Sequence, residues 1–366
     1  MKILLVQDYL RNGGTERQTL LLAHGFQAAG HATRLLTFRP GGTLAPLAAD
    51  LDHRPLQRRD WHLDWWAPGL ARAARGFAPD IVLTMGRMAN CRGAQLQSAV
   101  PRAAVLATMR TGKTLPLSFV RSLAKVRHVV ANSRAAADRL AHDYRVPREH
   151  LSVIHNSLVF PPGTSRRPRP ASAEKLRRDH GASAATTVFL CVAMFRPEKN
   201  QRALLSIVRD LPPDADWQLW LGGTGPALAA CRQQAQRLGL TDRVKFLGFQ
   251  ADPTPLYAAA DLAVLTSTRE SLSNFLIEAQ AHGLPAVAYA AQGVDEAMLP
   301  GESGQLIEQG DERAFRTTLA ELIASPTRCE AMSTAAATFA RAHFAPDRQI
   351  QAYLDLFHRL SHPATP

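Results

Sequence analysis

Short apolar runs recur along the chain, separated by longer stretches in which apolar residues return every three or four positions. The short runs have the length and β-branched content of buried strands, and the longer stretches have the period of amphipathic helices. Strands that alternate with helices are typical of an α/β fold whose parallel strands are buried on both faces. The predicted strands cover residues 3–6, 32–38, 80–84, 103–107, 187–195, 218–221, 244–249, 262–265 and 286–289.

A segment rich in proline and arginine divides these elements into two sets. Residues 159–172 hold four prolines and three arginines, a composition typical of a linker. At 366 residues the chain is long enough for two domains of ordinary size. The sequence therefore predicts one α/β domain over residues 1–158, a second over residues 173–346, and a last helix from about 347.

The stretch from residue 262 to residue 290 predicts a strand, a polar loop, a helix and a second strand. The helix is expected to start near Asn274, and Ser271 or Ser273 is a suitable N-cap. In open α/β sheets, ligands bind beyond the carboxyl ends of the strands, where helix N-termini present unpaired N–H groups. We therefore expect the amides of Leu272, Ser273 and Asn274 to bind a phosphate.

Two glutamates lie on either side of this predicted phosphate site. Glu270 is in the loop before the helix, and Glu278 is one turn into it on a similar face. Carboxylates repel a phosphate, so we expect these two to accept hydrogen bonds from hydroxyl groups around it, such as those of a sugar and a ribose. The alternative is that the spacing is accidental and both side chains are merely solvated.

The composition is that of a globular protein, with 46% hydrophobic and 20% charged residues. Four scattered cysteines without C-x-x-C spacing indicate reduced core thiols rather than a metal site or a disulfide framework. The N-terminal apolar run is too short for a signal peptide, and no apolar stretch approaches the length of a membrane span. These features predict a cytoplasmic protein.

The positive charge is concentrated in the first half of the chain. Residues 1–165 contain 22 Lys and Arg against 10 Asp and Glu, whereas residues 166–366 contain 21 of each. The whole excess of the net charge of +12 therefore lies before the linker. Such asymmetry indicates an anionic partner for the first half: a membrane surface, a phosphorylated lipid or polysaccharide, or nucleic acid.

Arginines and tryptophans are interleaved between residues 54 and 76. Trp61 and Trp65 are one helical turn apart, and Trp66 follows. This combination is typical of a segment that contacts a membrane interface. The alternative is a helix packed on the sheet, with its tryptophans in the core and its arginines facing solvent.

The string S-x-x-E-S-x-x-N-x-x-x-E-A-x-A-x-G-x-P-x-V, which starts at Ser267, resembles the E-x7-E segment of the retaining glycosyltransferases of family 4, which have the GT-B architecture. The resemblance implies two facing Rossmann-like domains with parallel sheets flanked by helices, an active site in the cleft between them, and a last helix, about 347–366, that crosses back onto the first domain. In that family the first glutamate approaches the donor sugar and the second binds the nucleotide ribose. The resemblance gives these roles to Glu270 and Glu278.

Glycine-containing turns after strands are similar to further donor-binding segments of the family. Gly13 and Gly14 belong to a G-G-T-E string that resembles the family's opening motif, and glycine allows backbone to approach a ligand closely. We therefore expect both near the donor phosphate. Gly223 lies in another such turn, and the resemblance places the backbone near Leu247 against the nucleotide base.

The second domain also carries a basic loop after its first strand. The family has G-R shortly before P-E-K here, and its arginine and lysine pair with the donor diphosphate. The P-E-K string is present, so the resemblance gives that role to Lys199. Met194 stands where the family arginine is expected, and Arg196, two positions later, is the candidate substitute. Two cations would offset the charge that develops on a leaving nucleoside diphosphate.

Basic residues follow two predicted strands of the first domain and are candidates for binding the acceptor. Arg87 follows one strand, and Arg110 and Lys113 follow the next. Many family members have a T-x-H pattern where this chain ends in Arg110. An arginine at this position could instead bind an acceptor phosphate.

The resemblance covers nearly the whole chain and implies transfer of a sugar, with retention, from a UDP- or GDP-linked donor to an acceptor hydroxyl. No cofactor and no metal are expected, because the D-x-D spacings at residues 50–52 and 214–216 lie in polar, loop-like stretches. The basic first half favours an anionic or lipid-linked glycan acceptor, such as lipopolysaccharide, and peripheral contact with the inner face of an anionic membrane. No nucleic acid is expected. A sugar-nucleotide epimerase of the same fold, or a basic nucleic-acid-binding protein, are the alternatives.

Overall fold

The computed structural model of the chain describes residues 1–160 and 169–361, which form two parallel β-sheets flanked by helices. The chain divides into unit 1, which comprises Met1–Leu158 and the C-terminal residues from Phe344, and unit 2, which comprises Val159–His343. The predicted fold class of two parallel-sheet α/β domains is confirmed. Residues 161–168 of the predicted linker lie outside the described residues, and a helix begins at Ala171.

The strands in chain order are β1 Lys2–Gln7, β2 Ala32–Thr37, β3 Asp52–Pro55, β4 Ile81–Thr84, β5 Ala104–Met109, β6 His128–Ala131, β7 Leu151–Val153, β8 Thr187–Val192, β9 Trp217–Gly222, β10 Val244–Gly248, β11 Leu262–Leu265, β12 Ala286–Tyr289 and β13 Gly304–Ile307. The helices are α1 Gly14–Ala28, α2 Leu70–Phe77, α3 Arg87–Asn90, α4 Gly93–Ala99, α5 Leu117–Leu123, α6 Arg134–Asp143, α7 Ala171–Asp179, α8 Gln201–Arg209, α9 Leu228–Arg237, α10 Thr254–Ala259, α11 Asn274–Ala281, α12 Glu312–Ala324, α13 Pro326–Phe344 and α14 Pro346–Ser361.

The sheet of unit 1 has the strand order β3-β2-β1-β4-β5-β6-β7 and is parallel throughout. Both faces of its central strand are buried, because Leu4 and Val6 belong to one core cluster while Ile3 and Leu5 belong to another. This explains why β1 is a continuous apolar run rather than an alternating one. Helix α14 packs into the second cluster, where Phe357 contacts Phe26 of α1 with ring centroids 5.3 Å apart.

The sheet of unit 2 has the order β10-β9-β8-β11-β12-β13 and is also parallel. In both sheets the strand order reverses beside the first strand of the unit: between β1 and β4 in unit 1, and between β8 and β11 in unit 2. Ligands of open α/β sheets bind in the crevice that this reversal leaves at the carboxyl ends of the strands. The topology therefore defines one candidate position in each unit.

Central strands match the sequence-based expectations more closely than edge strands. The predictions for β11 and β12 agree with the structure at both ends, and α11 begins at Asn274 as expected. Four strands are missing from the sequence-based list: β6, and the outermost strands β3, β7 and β13. An edge strand pairs on one side only, so its residues are more exposed and its apolar pattern is weaker.

The alternative interpretation, in which the tryptophans belong to the core of a helix packed on the sheet, is wrong. The segment from Trp61 to Trp66 is an irregular loop, and α2 begins only at Leu70, after Gly69 in a left-handed conformation. Trp61 is 50% exposed and Trp65 is 53% exposed. These side chains lie largely in solvent because the loop is held by polar contacts rather than by a helix packed on the sheet.

The two D-x-D spacings lie at the amino ends of strands, opposite to the edge where ligands of such sheets bind. The sequence predicted a loop at Asp52, but this residue is the first of β3, where it pairs with Arg34 at 2.7 Å and Arg54 at 2.8 Å. Asp216 immediately precedes β9 and accepts a hydrogen bond from the Thr186 hydroxyl at 3.0 Å. Both aspartates therefore already serve structural contacts.

All four cysteines are free thiols, as predicted, although they are not all in the core. Cys191 and Cys231 are buried, whereas Cys91 and Cys329 are only partly buried. Burial raises the pKa of the Cys191 thiol to about 12, so this group stays protonated and unreactive at neutral pH.

Candidate functional site

Two loops meet where the strand order of unit 2 reverses. One follows β8 and carries Lys199, and the other follows β11 and carries Glu270. Backbone and side-chain hydrogen bonds join the loops, because the Thr268 amide donates to the Glu198 carbonyl at 2.9 Å and the Thr266 hydroxyl donates to the Asn200 carbonyl at 2.9 Å. The two loops therefore form one surface at the carboxyl edge of the sheet.

Lys199 and Glu270, predicted from separate motifs, lie in direct contact. The Lys199 ammonium group donates to Glu270 Oε1 at 2.5 Å. The glutamate side chain is only 8% exposed and the lysine side chain is 24% exposed. A charge pair that is largely removed from water holds its members firmly, and it keeps a cation and a hydrogen-bond acceptor ready at the position where a ligand would bind.

The start of α11 is built as the sequence predicted. Ser273 is the N-cap, and its hydroxyl accepts a hydrogen bond from the Leu276 amide at 3.4 Å. Leu272 and Ser273 are buried and Asn274 is partly buried, so the turn before the helix is packed into the unit. The helix thus begins immediately after the loop that carries Glu270, and its N-terminal dipole adds positive potential there.

Glu278 lies one turn into α11, and a tyrosine that the sequence analysis missed holds it in place. The Tyr257 hydroxyl donates to Glu278 Oε2 at 2.5 Å. The tyrosine is buried, and its ring is stacked on Phe275 and on His282, with centroids 6.1 and 5.0 Å away. A buried tyrosine usually needs a hydrogen-bond partner for its hydroxyl, and here that partner is the carboxylate. The sequence feature that could have indicated this tyrosine is its position in α10, just before β11.

Arg196 shares the loop of Lys199, but its guanidinium makes no hydrogen bond or ion pair within the described residues. Its side chain is partly buried, and its residue caps the short turn Pro197–Lys199 without a side-chain hydrogen bond. Met194, at the position of the family arginine, is 49% exposed. Substitution of the family arginine by Arg196 remains a prediction.

Of the predicted donor-binding glycines, Gly223 has a steric reason for being glycine. Gly223 has a φ of +132°, and a Cβ there would come within 2.1 Å of the Ala193 carbonyl oxygen, so only glycine fits. At Gly13, a Cβ would lie 2.4 Å from Glu16 Oε2. Neither observation tests contact with a donor, and both roles remain predictions. Leu247 lies in β10, partly buried, and its carbonyl accepts a hydrogen bond from Gln250 at 2.7 Å.

Gly13 and Gly14 lie at the start of α1, beside a buried carboxylate. Gly13 is the N-cap residue and offers no side-chain cap, and Glu16 folds back toward it from the first turn. Burial raises the pKa of Glu16 above its ordinary value. An acid in this place occupies the side of the helix start that an anion would otherwise use.

Of the three predicted acceptor-binding residues, two are exposed and one is engaged inside unit 1. Arg87 opens α3 and Lys113 lies in the loop after β5, both with exposed side chains. Arg110 donates to Asn156 Oδ1 and, at 2.9 Å, to the Tyr353 hydroxyl, which ties β5 to α14. All three follow the carboxyl ends of the neighbouring strands β4 and β5.

Asp8, which the sequence analysis did not single out, lies where the strand order of unit 1 reverses. It follows β1, is buried, and accepts hydrogen bonds from the amides of Met88 at 3.0 Å and Ala89 at 2.6 Å. Burial raises the pKa of Asp8 to about 6, although these two hydrogen bonds act in the opposite direction. A Cβ on Gly86 would come within 2.3 Å of this carboxylate, so the glycine makes room for it.

The described residues contain neither a metal-binding cluster nor a membrane-spanning helix. No group of three or more His, Cys, Asp or Glu side chains in residues 1–160 and 169–361 is arranged to hold a metal ion. In the same part of the chain, no helix combines the length and the apolar character that crossing a membrane requires.

Models of two protein families match this chain and together span most of it. The model of the glycosyl transferases group 1 matches residues 172–339, and the model of glycosyltransferase family 4 matches residues 12–158. With two parallel-sheet α/β units and the E-x7-E segment at the edge of the second sheet, the chain belongs to the family 4 glycosyltransferases of GT-B architecture.

Particular relatives of known name are similar over part of their length. The lipopolysaccharide core biosynthesis glycosyltransferase LpsE of Rhizobium meliloti is 31% identical over 196 residues, 54% of this chain and 54% of that protein. A D-inositol 3-phosphate glycosyltransferase of Corynebacterium glutamicum is 28% identical over 250 residues, 62% of this chain and 58% of that protein. The chain thus spans about half the length of the curated relatives it matches.

Among solved structures, HepE of Anabaena in complex with UDP-glucose has a TM-score of 0.83 to this chain. The comparison covers 98% of this chain and 99% of HepE, at 23% identity. At this identity the likeness shows the fold alone, and the fold of the two proteins is the same over nearly their whole length.

Proposed function

We propose that the protein is a retaining glycosyltransferase that moves a hexosyl unit from a UDP- or GDP-linked sugar to an acceptor hydroxyl. The observation that supports this most strongly is the contact between Lys199 and Glu270, with Glu278 on the adjacent helix, where the strand order of unit 2 reverses. Membership of the family and the UDP and UDP-glucose bound by HepE are in accord with such a donor.

In this proposal the start of α11 and Lys199 bind the donor diphosphate, and Arg196 adds a second cation. They stabilise the negative charge that develops on the leaving diphosphate, the largest electrostatic change in the reaction. Glu270 approaches the donor sugar, and Glu278 accepts hydrogen bonds from ribose hydroxyls. In unit 2, the donor is also approached by the backbone of five further residues: Gly223, Leu247, Leu272, Ser273 and Asn274.

The reaction follows from these placements. The glycosidic bond breaks as the acceptor oxygen attacks the same face of the sugar, so the anomeric configuration is retained. The leaving phosphate oxygen takes the acceptor proton, and no side chain need act as general base. Because side-chain cations supply the positive charge at the diphosphate, we propose that the reaction requires no divalent metal.

For the acceptor we propose an anionic or lipid-linked glycan of the cell envelope, such as lipopolysaccharide. Unit 1 is strongly basic, and Arg87 and Lys113 present exposed cations at the carboxyl edge of its sheet. Arg110, on the same edge, would act with them on an acceptor phosphate. Two relatives accord with this class, since one acts in lipopolysaccharide core biosynthesis and the other is named for an inositol phosphate. The protein would work in the cytoplasm at the inner face of an anionic membrane.

The donor is tested first, by incubating the protein with a panel of nucleotide-sugars and measuring hydrolysis, transfer and the shift in thermal unfolding. We expect UDP- or GDP-sugars to stabilise the protein and to be consumed, without loss of rate when a metal chelator is added. Isomerisation of the donor without an acceptor would instead identify an epimerase.

The key residue is tested by Lys199→Ala, for which we expect transfer to fall by at least about 100-fold with the fold unchanged. Lys175→Ala is the matched control, because Lys175 is an exposed lysine of the same unit that pairs with Asp179 on its own helix. Equal rates for the two variants would refute the role of Lys199.

A further inference from the structure

One loop of unit 1 presents two large aromatic side chains to solvent. It comprises residues 56–69, between β3 and α2, and is called the tryptophan loop here. Trp61 and Trp65 are each about half exposed, although indole is among the most favourable side chains to bury. The loop begins at the carboxyl end of β3, the same edge of the sheet at which Arg87 and Lys113 follow their strands. Two large aromatic side chains are therefore exposed at the edge of the sheet where ligands of such folds bind.

The loop is held by a buried arginine that comes from outside it. Arg39, 7% exposed, binds both oxygens of Asp60 at 2.7 and 2.8 Å and Asp64 at 2.7 Å. Its guanidinium also lies 3.9 Å from the centre of the Tyr9 ring. A second cation, Arg11, pairs with Asp64. Hydrogen bonds from Arg39 hold the pKa of Asp60 far below its ordinary range, so the Asp60 carboxylate stays ionised at physiological pH.

Further hydrogen bonds fix the backbone on either side of the exposed tryptophans. The buried Gln57 amide donates to the carbonyls of Leu63 at 2.8 Å and Trp66 at 2.7 Å. Arg92, from just before α4, donates to the Trp65 carbonyl at 2.7 Å. Between the tryptophans, His62 adopts a φ of +58°, a left-handed conformation that an ordinary residue keeps only where its surroundings impose it. The exposed tryptophans therefore lie on a loop whose conformation is fixed by hydrogen bonds and ion pairs.

The outward face of the loop is positive. Its two carboxylates, Asp60 and Asp64, are both used by the arginines beneath it. Its own Arg58 and Arg59 are exposed, and neither forms an ion pair within the described residues. The excess extends to the whole unit, since residues 1–158 and 344–366 hold 24 Lys and Arg against 12 Asp and Glu, whereas residues 159–343 hold 19 of each.

We propose that the tryptophan loop docks the protein on an anionic lipid bilayer, with Trp61 and Trp65 in the headgroup region and Arg58 and Arg59 against the lipid phosphates. Indole rings favour that region, and an anionic surface attracts arginine side chains that lie near it. This deepens the proposed function by naming the surface through which a lipid-linked acceptor would be reached.

A bound sugar is the competing occupant, and the geometry favours lipid. A sugar ring stacks on the free face of an aromatic ring and is fixed by polar groups around it. One face of the Trp61 ring is covered by Trp66, with centroids 4.6 Å apart and planes 27° from parallel. The loop's carboxylates, which would bind sugar hydroxyls, are occupied by Arg39 and Arg11. What remains exposed is aromatic and cationic, which matches an anionic interface.

The test is sedimentation of the full chain with vesicles of phosphatidylglycerol and phosphatidylcholine at low salt, with pure phosphatidylcholine vesicles as reference. We expect binding to the anionic vesicles and a loss of at least about tenfold in both Trp61→Ala/Trp65→Ala and Arg58→Glu/Arg59→Glu. The matched control is Lys125→Glu/Arg127→Glu, which makes the same charge change with exposed residues just before β6, at the opposite edge of the sheet. This control should keep most of the binding.

A second readout locates the contact. Trp217 and Trp220 are buried in unit 2, so quenching of tryptophan fluorescence by brominated lipids reports on the remaining three. We expect quenching in the wild type and in the Lys125→Glu/Arg127→Glu control, and none in Trp61→Ala/Trp65→Ala.

Three results would overturn the proposal: no sedimentation of the wild type, equal loss in the two charge-reversed variants, or unchanged sedimentation of the tryptophan variant. If the tryptophan variant kept its sedimentation but lost transfer to a water-soluble acceptor, the loop would bind a sugar instead of lipid. Binding of nucleotide-sugar is measured in parallel on each variant. Failure of the docking surface then leaves donor binding intact, whereas failure of the proposed function removes donor binding from the wild type as well.

Discussion

The two sheets have related topologies but very different carboxyl edges. In unit 2, the side chains of the candidate site contact one another: Lys199 pairs with Glu270, and Tyr257 donates to Glu278. In unit 1, Arg39 and Arg11 hold a loop through its two carboxylates, and that loop exposes Trp61 and Trp65 together with Arg58 and Arg59, which form no ion pair within the described residues. The first arrangement holds a few groups in fixed positions, and the second displays a broad surface.

The difference corresponds to the size of what each edge would bind. A small, highly charged ligand requires cations and acceptors fixed before it arrives, because reorganising them during the reaction raises the barrier. A large anionic surface instead requires many weak contacts spread over a broad area. One fold thus supports both arrangements, since the sheet fixes where loops emerge while the loop sequences fix what they present.

The largest expected effect comes from separating the ion pair of unit 2. In Glu270→Gln the lysine loses a charged partner and the donor sugar loses a carboxylate, so we expect transfer to fall by at least about 100-fold. Glu302→Gln is the control, because Glu302 is exposed in the turn before β13, at the opposite edge of the sheet. Turnover is measured with the donor found in the nucleotide-sugar screen. A rate for Glu270→Gln close to that of the control would remove Glu270 from the chemistry.

A smaller effect is expected from the buried carboxylate of unit 1. The pKa of Asp8 is about 6 in the folded protein and about 3.9 in an unfolded chain, so between these values the folded state binds more protons. Raising the pH from about 4 to about 7 should therefore lower the free energy of unfolding, by about 2 kcal/mol from this residue alone.

Asp8→Asn should lose this contribution, which urea unfolding at both pH values measures as a difference in slope from the wild type. Asp138→Asn serves as the control, since Asp138 is exposed on α6 and pairs with Arg148. Identical pH slopes for the wild type and Asp8→Asn would show that Asp8 ionises normally.

The smallest effect is expected from the hydroxyl that positions Glu278. In Tyr257→Phe the ring packing is kept, so we expect the KM for the donor to rise about tenfold with little change in kcat, the loss of about one hydrogen bond to a charged group. The preference for UDP over 2′-deoxy-UDP should shrink, because Glu278 is proposed to bind the ribose.

Tyr289→Phe is the matched control for this change. Tyr289 is equally buried in unit 2, but its hydroxyl has no hydrogen-bond partner among the described residues. A ribose preference that is the same in Tyr257→Phe as in the control would mean that Tyr257 only packs.

The sequence predicted which residues meet at the carboxyl edge of the unit 2 sheet better than it did for unit 1. Glu270, Lys199 and the helix start at Asn274 belong to local strings of fixed spacing, and the structure brings them together at one edge. Arg110 was chosen for its position after a strand, but sequence could not show that Asn156 and Tyr353 engage it. Tyr353 is 243 residues away along the chain, and such a contact leaves no local pattern.

The chain's own sequence determined the two parallel sheets, their central strands and the spacing of Glu270 and Glu278 around the start of α11, because hydrophobic periodicity and turn chemistry act over a few neighbouring residues. Tertiary structure alone decided that Lys199 meets Glu270, that Tyr257 holds Glu278, and that Trp61 and Trp65 stay in solvent. These outcomes depend on which side chains meet from distant parts of the chain, and on whether a segment can satisfy its polar groups better in a loop than in a helix.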